Sequence, residues 1–259
     1  MKRPVLEARR LNFAYDPRPP ILTDLSLSLH PGALCAFIGS NGSGKSTLIR
    51  LLAGILKPAS GDVLLHGRSL ANTPRQEAAK SLAYVSQSLS MVFPFTALEV
   101  VLTGRSPHRP PFRLENEHDR EVAMDALSLV EASHLAERPV TALSTGERQL
   151  VAVARALAQQ PECLLLDEPS ASLDLRHRIV LMRTLVRLRD TLGLAICVVT
   201  HDLHLIDSSF DRVLALRDGQ LIVDERPEKV LNDSTLAMVY GDPSIRTQSF
   251  DGRTLIWCD

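Results

Sequence analysis

The chain has 259 residues, 45% hydrophobic and 23% charged, with a formal net charge of −1. That length and balance fit one large globular domain, or a domain with an inserted subdomain, and leave ample material for a buried core. The near-neutral charge gives no global basic field, which argues against a partner role for nucleic acid, and no stretch reaches the roughly 18 apolar residues that span a bilayer. The four cysteines, at 35, 163, 197 and 258, have no CxxC spacing, and the first three sit in apolar runs. They predict unpaired thiols in a reducing, intracellular compartment. Met1 to Glu7 lacks an apolar h-region and does not read as a signal peptide.

In chain order, Val5–Tyr15 and Leu22–Leu29 read as strands, the second with Leu25, Leu27 and Leu29 alternating with Ser26 and Ser28. Pro31-Gly32 turns the chain into Leu34–Ile38, a short apolar run typical of a buried strand. Next come Gly39-Ser40-Asn41-Gly42-Ser43-Gly44-Lys45-Ser46, which fit G-x-x-x-x-G-K-[ST], and Thr47 to Ala53 reads as the first turns of a helix. A strand, a glycine-rich loop and a helix N-terminus together make an anion site. The glycines let successive N–H groups wrap a phosphate, and the helix dipole adds favourable field. Lys45 then reaches the terminal phosphates and the Ser46 hydroxyl holds Mg²⁺, so this stretch predicts a nucleoside triphosphate site.

Asp62–His66 and Leu82–Val85 are further strands, the latter ending at Ser86-Gln87. From about 90 to 160 the pattern turns helical, with Glu115–Glu131 and then Leu150, Val153, Ala154 and Leu157 at i, i+3, i+4, i+7. Cys163–Leu166 is the continuous apolar run of a central parallel strand. Leu175, Ile179, Met182 and Val186 mark one face of the next helix, which stops near Gly193. Ala195–Thr200 reads as another buried strand, Val213–Val223 as a hairpin around Arg217-Asp218-Gly219-Gln220, and 241–259 as a short strand or an ordered tail. Strands alternating with helices predict an α/β fold with a mainly parallel core.

Asp167 and Glu168 end the Cys163 strand at the sheet edge where ligands bind in open α/β folds. Alone they read as two solvated acids. Beside a phosphate loop, Asp167 suits the Mg²⁺ shell, and Glu168 suits proton acceptance from attacking water. Ser144-Thr145-Gly146-Glu147 is a capping box that opens the Leu150 helix.

The longer string Leu143-Ser144-Thr145-Gly146-Glu147-Arg148-Gln149 resembles the signature of ATP-binding cassette (ABC) ATPases, and it stands just ahead of the acidic strand as in that family. The resemblance covers nearly the whole chain. It implies a P-loop NTPase fold of ABC type over 1–259, with N-terminal antiparallel strands and an inserted helical signature subdomain at about 88–160. Tyr15 looks like the aromatic that stacks on adenine, residues 39–47 like the phosphate loop, and Gln87 like the glutamine that links Mg²⁺ to the helical subdomain. Ser144, Gly146 and Glu147 match the signature, Asp167 and Glu168 the second nucleotide motif, Ser172-Leu173-Asp174 the D-loop, and His201 the switch histidine at γ-phosphate. The resemblance also implies that each chain holds half of each ATP site, so two copies pair head-to-tail around ATP and Mg²⁺. One departure stands out: Thr145 replaces the first signature glycine, which narrows the space beside phosphate and implies a working but slower site.

Within the family, Gly104-Arg105-Ser106-Pro107-His108, Leu173-Asp174-Leu175-Arg176-His177 and the ending Leu236–Gly241 resemble the ATPases of large-permease bacterial importers. That subset takes up ferric siderophores, haem, cobalamin or molybdate. It implies a chain at the cytoplasmic face of the inner membrane, under a permease pair, served indirectly by a periplasmic or lipid-anchored solute-binding protein. The alternatives are a soluble ABC ATPase, for example of iron–sulfur assembly, and an exporter subunit. Residues 88–113, with Met91, Val92, Phe93, Phe95 and Phe112, are the expected permease contact, since exposed apolar groups mark binding surfaces.

Overall fold

The computed structural model describes residues 3–87, 93–110, 114–171, 173–250 and 253–259. Strands β1 (Leu6–Phe13) and β2 (Leu22–Leu29) open the chain, and β3 (Leu34–Ile38) runs into the glycine-rich loop and α1 (Lys45–Leu52). Then follow β4 (Ser60–Leu65), β5 (Arg68–Ser69), α2 (Arg75–Ser81) and β6 (Leu82–Val85). The helical stretch holds α3 (Ala97–Leu102), α4 (Glu117–Leu129) and α5 (Thr145–Ala158). Strand β7 (Cys163–Asp167), α6 (Leu175–Leu192) and β8 (Ala195–Val199) complete the central layer. The hairpin β9 (Arg212–Arg217) and β10 (Gln220–Glu225) precedes α7 (Pro227–Val230), α8 (Asp233–Tyr240) and a last hairpin, β11 (Ile245–Phe250) with β12 (Arg253–Cys258).

The central sheet has the order β10-β9-β3-β8-β7-β6, parallel except for the edge strand β10. Strands β3, β7 and β8 are buried along their whole length. Helices and the second sheet cover both their faces, which is why the sequence shows continuous apolar runs there and no alternation. Register then places the chemistry. Phe37 lies opposite Val199, Asp167 opposite Val199 from the other side, and Val85 opposite Leu166. The segments that leave these strands, Gly39–Lys45, Glu168, His201 and Gln87, therefore emerge together at one sheet edge.

The second sheet, β2-β1-β4-β5, is antiparallel, as expected of the N-terminal strands. It closes over α1 and one face of the central sheet, burying Leu6, Leu11, Leu25, Leu48, Leu52 and Phe37 in one cluster. Helices α5 and α6 cover the opposite face with Ala36, Leu164, Leu166 and Leu181. Cys35, Cys163 and Cys197 are fully buried, and burial pushes the Cys35 thiol up to about 12, so these act as small apolar side chains.

Three expectations need correction. The first strand ends at Phe13, and Tyr15 lies beyond it. On α6 the buried face is Leu181, Thr184, Leu185 and Leu188, whereas Leu175 and Ile179 are 73% and 42% exposed. Both stripes keep helical spacing, so periodicity alone could not choose between them, and the sheet takes the second. Ile245–Phe250 and Arg253–Cys258 pair in regular antiparallel register, with Ile245 buried while Phe250, Leu255 and Trp257 stay exposed. Without a clean period-2 pattern, only that pairing reveals them.

Helices α3, α4 and α5 pack on one another through Val101, Leu127, Val151 and Ala154. The Gly104–His108 string is the brace of this unit. Arg105 is 4% exposed, and it donates from Nε to Asp119 Oδ1 at 3.0 Å and from Nη1 to Ala158 O at 2.8 Å and Gln160 Oε1 at 2.9 Å. His108 Nε2 meets Gln159 O at 2.8 Å. One guanidinium thus ties the start of α4 to the end of α5. Burial by itself raises the Asp119 carboxyl, but the Arg105 bond and the Asn116 contact hold it below its usual range. Removing one partner of a buried pair strands the other charge, so Arg105→Ala is expected to cost about 3–5 kcal/mol of unfolding free energy by denaturant titration. A group held low in the fold stabilises it above its unfolded value and loses that contribution on acidification. Wild-type stability should therefore fall more steeply below about pH 3.9 than that of an Arg105→Leu, Asp119→Leu double variant.

Candidate functional site

The loop from β3 to α1 has the geometry its glycines require. Gly39 sits at φ +144° with an ideal Cβ position only 2.2 Å from Leu216 O, and Gly44 at φ +103° with Leu22 Cδ2 at 2.7 Å. No side chain fits at either position without moving its neighbours. Ser43 and Thr47 are buried, Ser40 and Ser46 half-buried, and Asn41 and Gly42 exposed at the rim. Lys45, 5% exposed, curls back so that Nζ donates to Gly39 O and Ser40 O, both at 2.8 Å. Its ammonium is thereby held inside the loop. Burial lowers the Lys45 ammonium, and the nearby Glu168 and Asp167 carboxylates offset part of that shift.

Asp167 ends β7 with its side chain 3% exposed, and its Oδ1 accepts from Ser46 Oγ at 3.0 Å. Tyr84 Oη donates to Oδ2 at 3.2 Å, and Arg50 Nη2 lies 4.0 Å from the same oxygen. Burial raises the Asp167 carboxyl, and bonds from Ser46 and Tyr84 oppose this without cancelling it. Nothing local in the sequence marks Tyr84 as a partner of Asp167. Arg50 had one signal: it stands four residues beyond Ser46, on the same face of α1.

Glu168 adopts φ +49°, a left-handed conformation that costs a glutamate about 1–2 kcal/mol, and its N–H bonds Val199 O at 3.0 Å. Strain held by a sheet bond at a strand end marks a position where aim matters. Glu168 Oε2 receives Gln87 Nε2 at 3.1 Å and lies 3.2 Å from His201 Nδ1. Three residues from separate strand ends thus meet at one carboxylate oxygen. Tyr15 is half-buried, edge-on to Phe13 at a centroid distance of 4.8 Å.

Ser144, Gly146 and Glu147 lie elsewhere, at the start of α5. Ser144 caps the helix, Glu147 N donating to Ser144 Oγ at 3.2 Å and Ser144 N to Glu147 Oε2 at 2.7 Å. That backbone bond, with Arg138 beside it, holds the Glu147 carboxyl low. Thr145 is the first helical residue, exposed, with Arg148 Nη2 3.3 Å from its hydroxyl. Asp174 caps α6 through His177 N at 2.9 Å. Among the described residues these groups bond locally, and their hydrogen bonds do not reach the phosphate loop. Ser172 lies outside the described residues, as do Met91, Val92 and Phe112. Phe93 and Phe95 are 68% and 52% exposed with rings 6.1 Å apart.

The family model described as "ABC transporter" matches residues 22–171. The chain belongs to the ABC transporter family. The ABC ATP-binding subunits of that family bind and hydrolyse ATP, and this chain is one of them. It is 41% identical over 230 residues to the hemin import ATP-binding protein HmuV of Gloeobacter violaceus, covering 85% of this chain and 82% of that protein. It is 36% identical to the petrobactin import ATP-binding protein FpuD of Bacillus anthracis, over 91% of this chain and 86% of that one. Among solved structures, a chain from a metal-chelate type ABC transporter in an inward-facing conformation superposes with a TM-score of 0.82 at 28% identity, covering 98% and 96% of the two chains. A dimeric ATP-binding cassette, MJ0796 bound to ADP and Pi, superposes at 0.76 and 27% identity, covering 86% and 98%. Among the described residues no helix is long and apolar enough to cross a membrane.

Proposed function

We propose that this ABC ATPase drives import of a metal chelate, an iron siderophore or haem, through a membrane permease at the cytoplasmic face of a bacterial inner membrane. The observation that carries this reading is the 36–41% identity, over most of both chains, to ATP-binding proteins named for hemin and petrobactin import. Residues 1–259 act as one ATPase domain with 88–160 as its helical signature subdomain.

The phosphates lie along the Gly39–Thr47 loop, where N–H groups, the α1 dipole and Lys45 meet the anion. Tyr15 offers its ring face to adenine. The donor set at the strand end fits Mg²⁺: the Ser46 hydroxyl and the Asp167 carboxylate stand 3.0 Å apart, with Gln87 bonded to the adjacent Glu168. These are hard oxygen ligands, too few for an all-protein cage, as suits an ion that keeps phosphate and water oxygens. Bound there, Mg²⁺ supplies charge neutralisation on the phosphates. Glu168 accepts the proton of the attacking water, and His201 orients Glu168 and γ-phosphate. Among the described residues Ser144 and Glu147 bond within their own turn and to Arg138, which leaves the α5 N-terminus with Gly146 to cap the nucleotide of a second copy, with Asp174 at the seam. ATP then joins two copies and hydrolysis releases them.

The exposed Phe93–Phe95 pair belongs to the permease contact. Phe93→Ser with Phe95→Ser is expected to lower recovery of the permease complex by about tenfold, as loss of two aromatic anchors does. ATPase activity of the isolated chain should stay unchanged, and its loss together with assembly would make these rings structural. The function itself is tested by extracting the tagged chain gently from its native membranes. A polytopic permease that co-purifies and restores chelate uptake in vesicles supports it. A soluble partner alone removes it.

A further inference from the structure

The contact that supports the signature loop from within its own chain stands outside the phosphate site. Gly146 is buried, and a Cβ placed on it would point at His177 Nδ1, 3.4 Å away, and Leu173 Cδ2, 3.5 Å away. The first turn of α5 therefore rests on the segment that opens α6. His177 is itself fixed: Nδ1 lies 2.8 Å from Asp174 Oδ1, the oxygen that also accepts the His177 N–H. Its ring keeps only 29% of its surface exposed, although Asp174 stays 66% exposed. The next residue continues the anchorage. Arg178 Nε donates to Leu173 O at 2.8 Å and Nη1 to Asp202 Oδ2 at 2.9 Å, and Asp202 directly follows His201, the neighbour of Glu168.

We propose that His177 is a positioning residue for the signature half-site, its imidazole facing Gly146 at the distance where a Cβ there would touch it, and locked by Asp174. The proposal rests on the reading that Ser144–Gly146 serves the nucleotide of a second copy. The ring bounds the space that a side chain at 146 would enter and sets how far the α5 N-terminus stands from the body of the chain. Misplacing that N-terminus weakens a dipole and N–H groups that act only at close range. Because Asp174 and Arg178 hold the same segment, the half-site given to the partner and the carboxylate kept at home share one support.

The test is steady-state ATPase activity of the intact transporter carrying His177→Ala, beside ATP affinity and melting temperature of the isolated chain. His177→Ala is expected to lower kcat by about tenfold, in line with a small misplacement of a group that touches the reacting phosphate. ATP affinity of the isolated chain should hold within about twofold, since Lys45 and its loop are untouched. His177→Asn keeps a nitrogen where Nδ1 bonds Asp174 and is expected to recover part of the loss. Equal drops in affinity, melting temperature and kcat would make the role structural and overturn the proposal, as would an unchanged kcat. Ser144→Ala separates the two levels. If it abolishes turnover while His177→Ala does nothing, only this inference fails. If neither variant has an effect, the reading of the signature fails and takes this inference with it.

Discussion

Replacing Glu168 by Gln is expected to lower ATP turnover by on the order of 10²–10⁴-fold, the usual worth of a positioned general base. The amide keeps the shape of the carboxylate but cannot take a proton from water. Its environment argues for the larger end of that range. Glu168 is held in a left-handed backbone conformation by Val199 O, and its Oε2 is met by both Gln87 and His201. The adjoining carboxylate, Asp167, is committed to Ser46 and Tyr84. ATP binding should persist because the Lys45 loop is unchanged, so the variant should accumulate as an ATP-bound dimer by light scattering. Near-normal hydrolysis would remove Glu168 from the catalytic role.

Lys45→Ala is expected to raise the nucleotide Kd roughly 10–150-fold, equivalent to the about 1.5–3 kcal/mol of a hydrogen bond to a charged group. The loss exceeds that of a surface lysine because Lys45 is buried and its ammonium is pre-aimed by Gly39 O and Ser40 O. Burial lowers its proton affinity, so the sign of a pH effect follows. As pH rises, Lys45 should lose its charge sooner than an ordinary lysine at about 10.4, and ATP affinity should weaken earlier on the alkaline side. Fluorescence titration with a labelled nucleotide across pH reads both effects. Unchanged binding in Lys45→Ala would detach this lysine from the phosphates.

Much of this was legible in the sequence because the strongest signals were local. Leu34–Ile38, the glycine loop and Lys45–Leu52 are contiguous, and continuous burial of Leu164–Leu166 leaves no doubt about a central strand ending in Asp167-Glu168. Ser144 with Glu147 announced a helix start, and the Asp218-Gly219 turn takes positive φ at both residues, as a two-residue hairpin needs. What sequence could not show depends on distance between segments. Tyr84 meets Asp167 across 83 positions, and Arg105 meets Ala158 and Gln160 across more than 50. The α6 stripe was misjudged because two helical faces were equally apolar and only the neighbouring sheet decided between them. His177 stands out in the sequence only as the end of the Leu173–His177 string, with nothing to say what it touches. Its role appears only when α6 is seen beneath the signature turn.

In the proposed pair, the phosphate loop of one copy meets the signature of another around ATP. The most direct measurement is cross-linking between copies, in a Glu168→Gln background with Cys258→Ser to remove the exposed native thiol. A chain carrying Asn41→Cys, at the loop rim, is mixed with one carrying Thr145→Cys, beside the signature glycine, and treated with a short bis-maleimide. The head-to-tail pair predicts a cross-linked heterodimer with Mg·ATP and little without it. Equal cross-linking with and without nucleotide, or none while both variants still bind ATP, would contradict a site shared between two copies.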